Sequence, residues 1–162
     1  MASKGAAVAT IRLVIPAGKA TPQPPVGSAL GQRGLNIMSF CKEFNDKTSE
    51  YAALVPVPVV ITAYKDRSFT FIIKTPPVSY FLKKAAGITA GSSNPGTEIA
   101  GEVSLHAVYE IAKVKQTDQG LAHISLESLT KSVMGTARSM GLRVRPPAAP
   151  SALPPPTSDG AP

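Results

Sequence analysis

Cys41, His106 and His123 are the only thiol and imidazole groups from which this chain could build a nucleophile and its base. Cys41 falls among the apolar residues of a helical stretch, where an inert buried thiol is the ordinary outcome. His106 follows a serine able to cap a helix, and His123 falls in a connection between helices, both common settings for surface histidines. Neither a Walker A pattern nor G-x-G-x-x-G occurs. GSALGQRG at residues 27 to 34 has different spacing and no strand before it to shape a phosphate cradle. A single cysteine excludes an internal disulfide and a multi-cysteine zinc site. No enzyme is expected, and no cofactor or metal.

Binding chemistry is better provided for. In LESLTKSVMGTARSMG, residues 126 to 141, Leu126, Leu129, Val133, Ala137 and Met140 recur at spacings of 3, 4, 4 and 3, the apolar stripe of one helix. Ser125 can cap its start and Gly141 can end it. At about 100° per residue, Gly135 falls almost opposite the stripe, with Ser128, Lys131, Arg138 and Ser139 around it. Glycine on an exposed helix face costs roughly 1 kcal/mol relative to alanine, so its use implies that something approaches the backbone there. Small hydroxyls and cations suit a phosphate or sugar, offering donors and positive charge without bulk. Lys83 and Lys84 precede Gly87 and a loop containing Ser92 and Ser93, which with Arg143 and Arg145 could extend this face into one basic, small-residue surface. A run of charge is by itself equally a solvated face. With 6% aromatic residues and no Trp, stacking of single strands is disfavoured, and backbone and shape recognition of a folded nucleic acid fits better.

The 162 residues, 43% of them hydrophobic, suffice for one core or two small ones. Seventeen basic against ten acidic residues give a net charge of +7, which favours anionic partners. The first acidic residue is Glu43, after Lys4, Arg12, Lys19, Arg33 and Lys42. Such acid-poor beginnings can belong to transit peptides, but a strand-like run starts by about Val8, so any targeting segment is expected to have been removed or never present. No apolar run approaches the ~20 residues that span a bilayer, and no membrane partner is expected.

The elements that must position the binding face follow in order. Residues 8 to 15 read as a strand, 16 to 28 as a proline-rich loop, and 29 to 47 as a helix whose first turns Gly31 and Gly34 weaken. Strands at 57 to 65 and 68 to 75 join through a tight hairpin at Asp66 and Arg67. Proline suits the first helical position, so Pro77 opens a helix over 77 to 86. A further helix spans 105 to 117 behind Ser104, and the glycine-bearing helix is the third. The expected fold is α+β: residues 1–75 form a small unit with a three-stranded antiparallel sheet and a helix, and 76–145 a compact three-helix domain that carries the basic face. Seven of the last 17 residues are proline, so 146–162 is expected to be a disordered tail.

PPVGSALGQRGLNIMSFCKEFN at 24 to 45, PVVITAYKDRSFTFIIKTPP at 58 to 77, LKKAAGI at 82 to 88 and GTARSMG at 135 to 141 closely resemble the family of large-subunit ribosomal protein eleven. The resemblance covers about residues 8 to 145 in order. It implies a structural constituent of the large ribosomal subunit whose C-terminal domain binds a compact rRNA fold at the GTPase-associated region, beside the stalk base. Implied partners are large-subunit rRNA, a stalk-base ribosomal protein and, transiently, translation GTPase factors, with no DNA. Implied rRNA contacts are Gly135, Thr136 and Ser139, with Gly87, Ser92 and Ser93 nearby, joining Lys83, Lys84, Lys131, Arg138 and Arg143 from the face read above. Pro22, Pro24, Pro25 and Gly27 fall in the segment that faces factors and, with the RNA, forms the thiopeptide cleft. Lys42 matches a lysine methylated in bacterial members. Two departures stand out: Ser28 occupies a usual proline position, and VRPP with a proline-rich tail replaces the usual acidic ending. VSYFLKKAAGI and VSLHAVYEIAKVK look like the mitochondrial branch, with a bacterial or plastid ribosome as the alternative. A rival reading is a basic protein-interaction module that recruits a partner through its rigid proline segment.

Overall fold

Ile11, Leu13 and Ile15 alternate with Arg12, Val14 and Pro16, and this period of two gives the strand β1 (Ala7–Pro16) one apolar face. In the computed structural model, which describes residues 7–52 and 54–146, β1 pairs antiparallel with β2 (Pro56–Tyr64) and β2 with β3 (Phe69–Ile73). The sheet order is β1-β2-β3. At the β2–β3 hairpin Arg67 adopts a left-handed φ of 56°, and Tyr64 N–H donates to the Ser68 carbonyl at 3.0 Å.

The helix expected over 29 to 47 is two helices, α1 (Val26–Gly31) and α2 (Ile37–Thr48). The break follows from local chemistry: Gly34 takes a φ of +66°, and Asn36 caps α2 by accepting from Ser39 N–H at 3.2 Å. Phe40 and Phe44 of α2 and Leu30 of α1 bury against Ile15, Val57, Val59, Ile61 and Ala63 of the sheet. Phe40 meets the rings of Phe69 and Phe71 edge-on, with centroids 6.0 and 5.4 Å away.

A second apolar cluster gathers Leu82, Val103, Val108, Ile111, Ala112, Leu129, Val133, Ala137 and Leu142. It is enclosed by α3 (Val78–Ala86), α4 (Leu105–Gln116) and α5 (Leu126–Ser139) together with the strands β4 (Gly101–Ser104) and β5 (Leu142–Arg145). The three helices expected over 76–145 are joined by strands that the sequence reading did not include: β4 and β5 form a parallel pair from Gly101↔Leu142 to Ser104↔Arg145. Each strand is four residues long and their partners lie some forty positions apart, too short and too distant for a period-two pattern to register. Ser104 and Ser125 cap α4 and α5, accepting from the amides of Ala107 and Ser128.

Where the two clusters meet, Asp118 accepts from Thr75 N–H (2.8 Å), Thr75 Oγ1 (2.9 Å) and Lys115 Nζ (2.7 Å). Lys115 Nζ also donates to Thr75 Oγ1 at 2.8 Å. This buried network ties the segment after β3 to the connection between α4 and α5. Lys4 and the expected tail, Pro146 apart, lie outside the described residues.

Candidate nucleic-acid interface

The apolar stripe of α5 turns Leu129, Val133 and Ala137 into the core and leaves Gly135 exposed on the opposite side. A Cβ added at Gly135 would meet nothing within 4 Å, so no neighbour inside the protein requires glycine there. Thr136 Oγ1 donates to the Ser132 carbonyl at 3.1 Å, and Ser139 Oγ donates to the Thr136 carbonyl at 2.8 Å. Both hydroxyls therefore lie back along the helix, keeping the surface low and leaving their oxygens able to accept from a partner such as a ribose hydroxyl. Lys131 pairs with Glu127 at 2.6 Å, but both side chains are largely in water, so the ammonium is easily redirected.

Arg138 joins two clefts. One is lined by Met134, Gly135, Arg138, Leu142 and Val144, and the other includes Glu98, Arg138, Gly141 and Arg143. Gly135, Arg138 and Arg143 thereby share one surface, with Glu98 the carboxylate beside it. The loop after α3 completes this surface by docking on the end of α5. Ser92 N–H donates to the Met140 carbonyl at 3.0 Å, and Ala100 N–H to the Gly141 carbonyl at 2.9 Å. This approach needs two glycines to which the sequence reading assigned no contact role. A Cβ at Gly91 would stand 3.0 Å from the Met140 carbonyl oxygen, and one at Gly141 would stand 2.5 Å from the Ser92 Cβ. The left-handed φ of Gly141, +74°, turns the chain from α5 into β5 and so delivers Arg143. GTARSMGL carried a signal for this glycine, but only as a helix stop.

The remaining basic residues divide. Gly87 ends α3 with a φ of +67°, Lys83 is half-buried in the last turn, and Ser93 is exposed in the loop. Lys84 lines a different groove, with Tyr51, Val55, Tyr80, Phe81 and Val114 at the junction of the two units. Arg145 pairs with Glu102 across the β4–β5 pair.

In the first unit Pro22, Pro24 and Pro25 are exposed ahead of α1, with the Pro24–Pro25 peptide cis. A Cβ on Gly27 would overlap the Pro22 carbonyl oxygen, and Gly27 N–H donates to the Gln23 carbonyl at 3.1 Å, so the proline turn folds directly onto α1. Ser28 Oγ donates to the Pro25 carbonyl at 3.1 Å. Lys42 is exposed on α2. Cys41 is buried, which pushes its thiol pKa up and away from the nucleophilic thiolate. Among the described residues no three His, Cys, Asp or Glu side chains are grouped to hold a metal ion, and no helix is long and apolar enough to cross a membrane.

Residues 74–144 match the family model described as ribosomal protein L11, RNA binding domain, and residues 11–69 match that of ribosomal protein L11, N-terminal domain.

Proposed function

The chain belongs to the ribosomal protein L11 family, and on that premise we propose that it binds the GTPase-associated region of large-subunit rRNA at the stalk base and there supports translation-factor GTPases. It is a large-subunit ribosomal protein of a structural, non-enzymatic family that binds rRNA. The observation that carries the finer reading is the exposed, unobstructed Gly135 beside Arg138 and Arg143, within the residues that match the RNA-binding domain. The glycine admits a backbone, the guanidinium groups neutralise phosphates, and the docked Ser92 loop borders the same surface. Division of labour follows: residues 76–145 hold the RNA, while Pro22, Pro24, Pro25 and Gly27 present a stiff surface to factors and border the thiopeptide cleft. Lys42, exposed on α2, is accessible to methylation. The strings VSYFLKKAAGI and VSLHAVYEIAKVK favour a mitochondrial ribosome.

Gly135→Ala in the full chain tests this reading. Alanine gains up to about 1 kcal/mol of helix propensity, and its methyl meets nothing in the free protein. The variant should melt no earlier than the parent yet bind the transcribed rRNA fold more weakly in filter-binding assays. Parental affinity for that RNA in a folded variant would refute the close approach. Arg138→Ala should lower the slope of log affinity against log salt by about one, as expected when one phosphate contact is lost.

A further inference from the structure

The helices α1 and α2 cover only one face of the first sheet. On the other face strand register sets side chains in rows. Val14, Pro58 and Lys74 lie side by side, since Val14 pairs with Pro58 and Lys74 N–H donates to the Pro58 carbonyl at 2.9 Å. In the next row Arg12 pairs with Val60, and Val60 with Ile72. The two cations therefore occupy diagonal corners of an apolar patch whose Val14 and Ile72 are 54% and 44% exposed. A third row, Thr10–Thr62–Thr70, adds hydroxyls along one side. No carboxylate occurs in β1, β2 or β3.

We infer that this face docks an extended, acidic segment of a partner protein. Charge complementarity selects the partner. By strand geometry the two cations are separated by roughly 12 Å, about the span of four residues of extended chain. A strand laid across the patch would meet them with carboxylates at positions i and i+4. Its residue i+2, on the same side, would fall on the apolar centre. RNA fits worse: Val14, Pro58, Val60 and Ile72 have no side-chain donor for phosphates, whereas the α5 face sets Arg138 and Arg143 beside an unobstructed glycine. Isolated apolar residues on a surface need no explanation, but four contiguous ones edged by one sign of charge mark an interaction site.

The test titrates the isotope-labelled full chain with the peptide Thr-Asp-Thr-Leu-Thr-Asp-Thr and follows backbone amide shifts. The expected result is shifts confined to β1–β3, binding at least about tenfold tighter than that of the counterpart with Lys at both Asp positions, and loss of that preference in Arg12→Glu, which leaves Lys74 as the single cation of the patch. Ile72→Thr keeps a β-branched side chain in the strand and should weaken the acidic peptide several-fold while leaving affinity for the rRNA fold unchanged. Equal binding of both peptides, no binding, or shifts outside the sheet would overturn the proposal. So would a loss of rRNA affinity in Arg12→Glu, which would assign the face to RNA.

Discussion

Replacing Asp118 with alanine should loosen the junction between the two units. The carboxylate is 6% exposed and accepts three hydrogen bonds of 2.7 to 2.9 Å, one from an ammonium whose own side chain is 12% exposed. Truncating one member of a buried ion pair costs about 3–5 kcal/mol, because the remaining charge stays desolvated. Here the low end applies, since Lys115 Nζ keeps the Thr75 hydroxyl and carbonyl as partners, while Thr75 N–H loses its acceptor. A loss of about 3 kcal/mol corresponds to roughly 6–12 °C in Tm for a chain of this size. Urea titration followed by circular dichroism measures it. Adding Lys115→Met to Asp118→Ala should return at least about 1 kcal/mol relative to additivity, the signature of a coupled pair. A single-variant loss below about 1 kcal/mol would refute the argument that this network secures the junction.

The same network sets an acid limb. Burial pushes the Asp118 carboxyl upward, but the hydrogen bonds from Lys115 and Thr75 and the charge of Lys115 outweigh it and hold the pKa below its ordinary value. The folded pKa being the lower, the contribution is complete above the unfolded value of about 3.9 and is lost as pH falls through the folded one. Asp118→Asn should therefore flatten the stability profile below about pH 4 relative to the parent.

Three further outcomes are expected. Gly141→Ala forces a side chain into a φ of +74° and against Ser92, so it should destabilise the protein by about 1–3 kcal/mol in denaturant titrations and weaken rRNA binding by displacing the loop. Gly27→Ala collides with the Pro22 carbonyl, so it should alter factor-dependent GTP hydrolysis on reconstituted subunits at equal occupancy while rRNA affinity holds; identical hydrolysis rates would remove the factor-facing role. Cys41, buried with a raised pKa, should resist iodoacetamide at neutral pH until denaturant is added, as mass spectrometry of the intact chain would register.

Local pattern was enough to read what depends on neighbours in the chain. The alternation in β1, the Asp66–Arg67 hairpin, the serine caps of α4 and α5 and the stripe of α5 all express periods or caps only a few residues long. Gly135 was legible for the same reason, since a helix face follows from spacing alone. The family, too, could be read from contiguous strings. The break at Gly34 was half-legible: the glycines were visible, but splitting the helix required the Asn36 cap to outcompete its continuation. What only the tertiary structure decided involves partners distant in sequence. The β4–β5 pair, the Asp118–Thr75–Lys115 network and the docking of Ser92 on Gly141 each join residues about forty or more positions apart, and no local period encodes such contacts. The structure likewise placed Lys84 in a groove at the junction of the two units and, among the described residues, set helices on only one face of the β1–β3 sheet. Which residues share a surface depends on how elements pack, and that choice is made by burial of the two apolar clusters rather than by any segment alone.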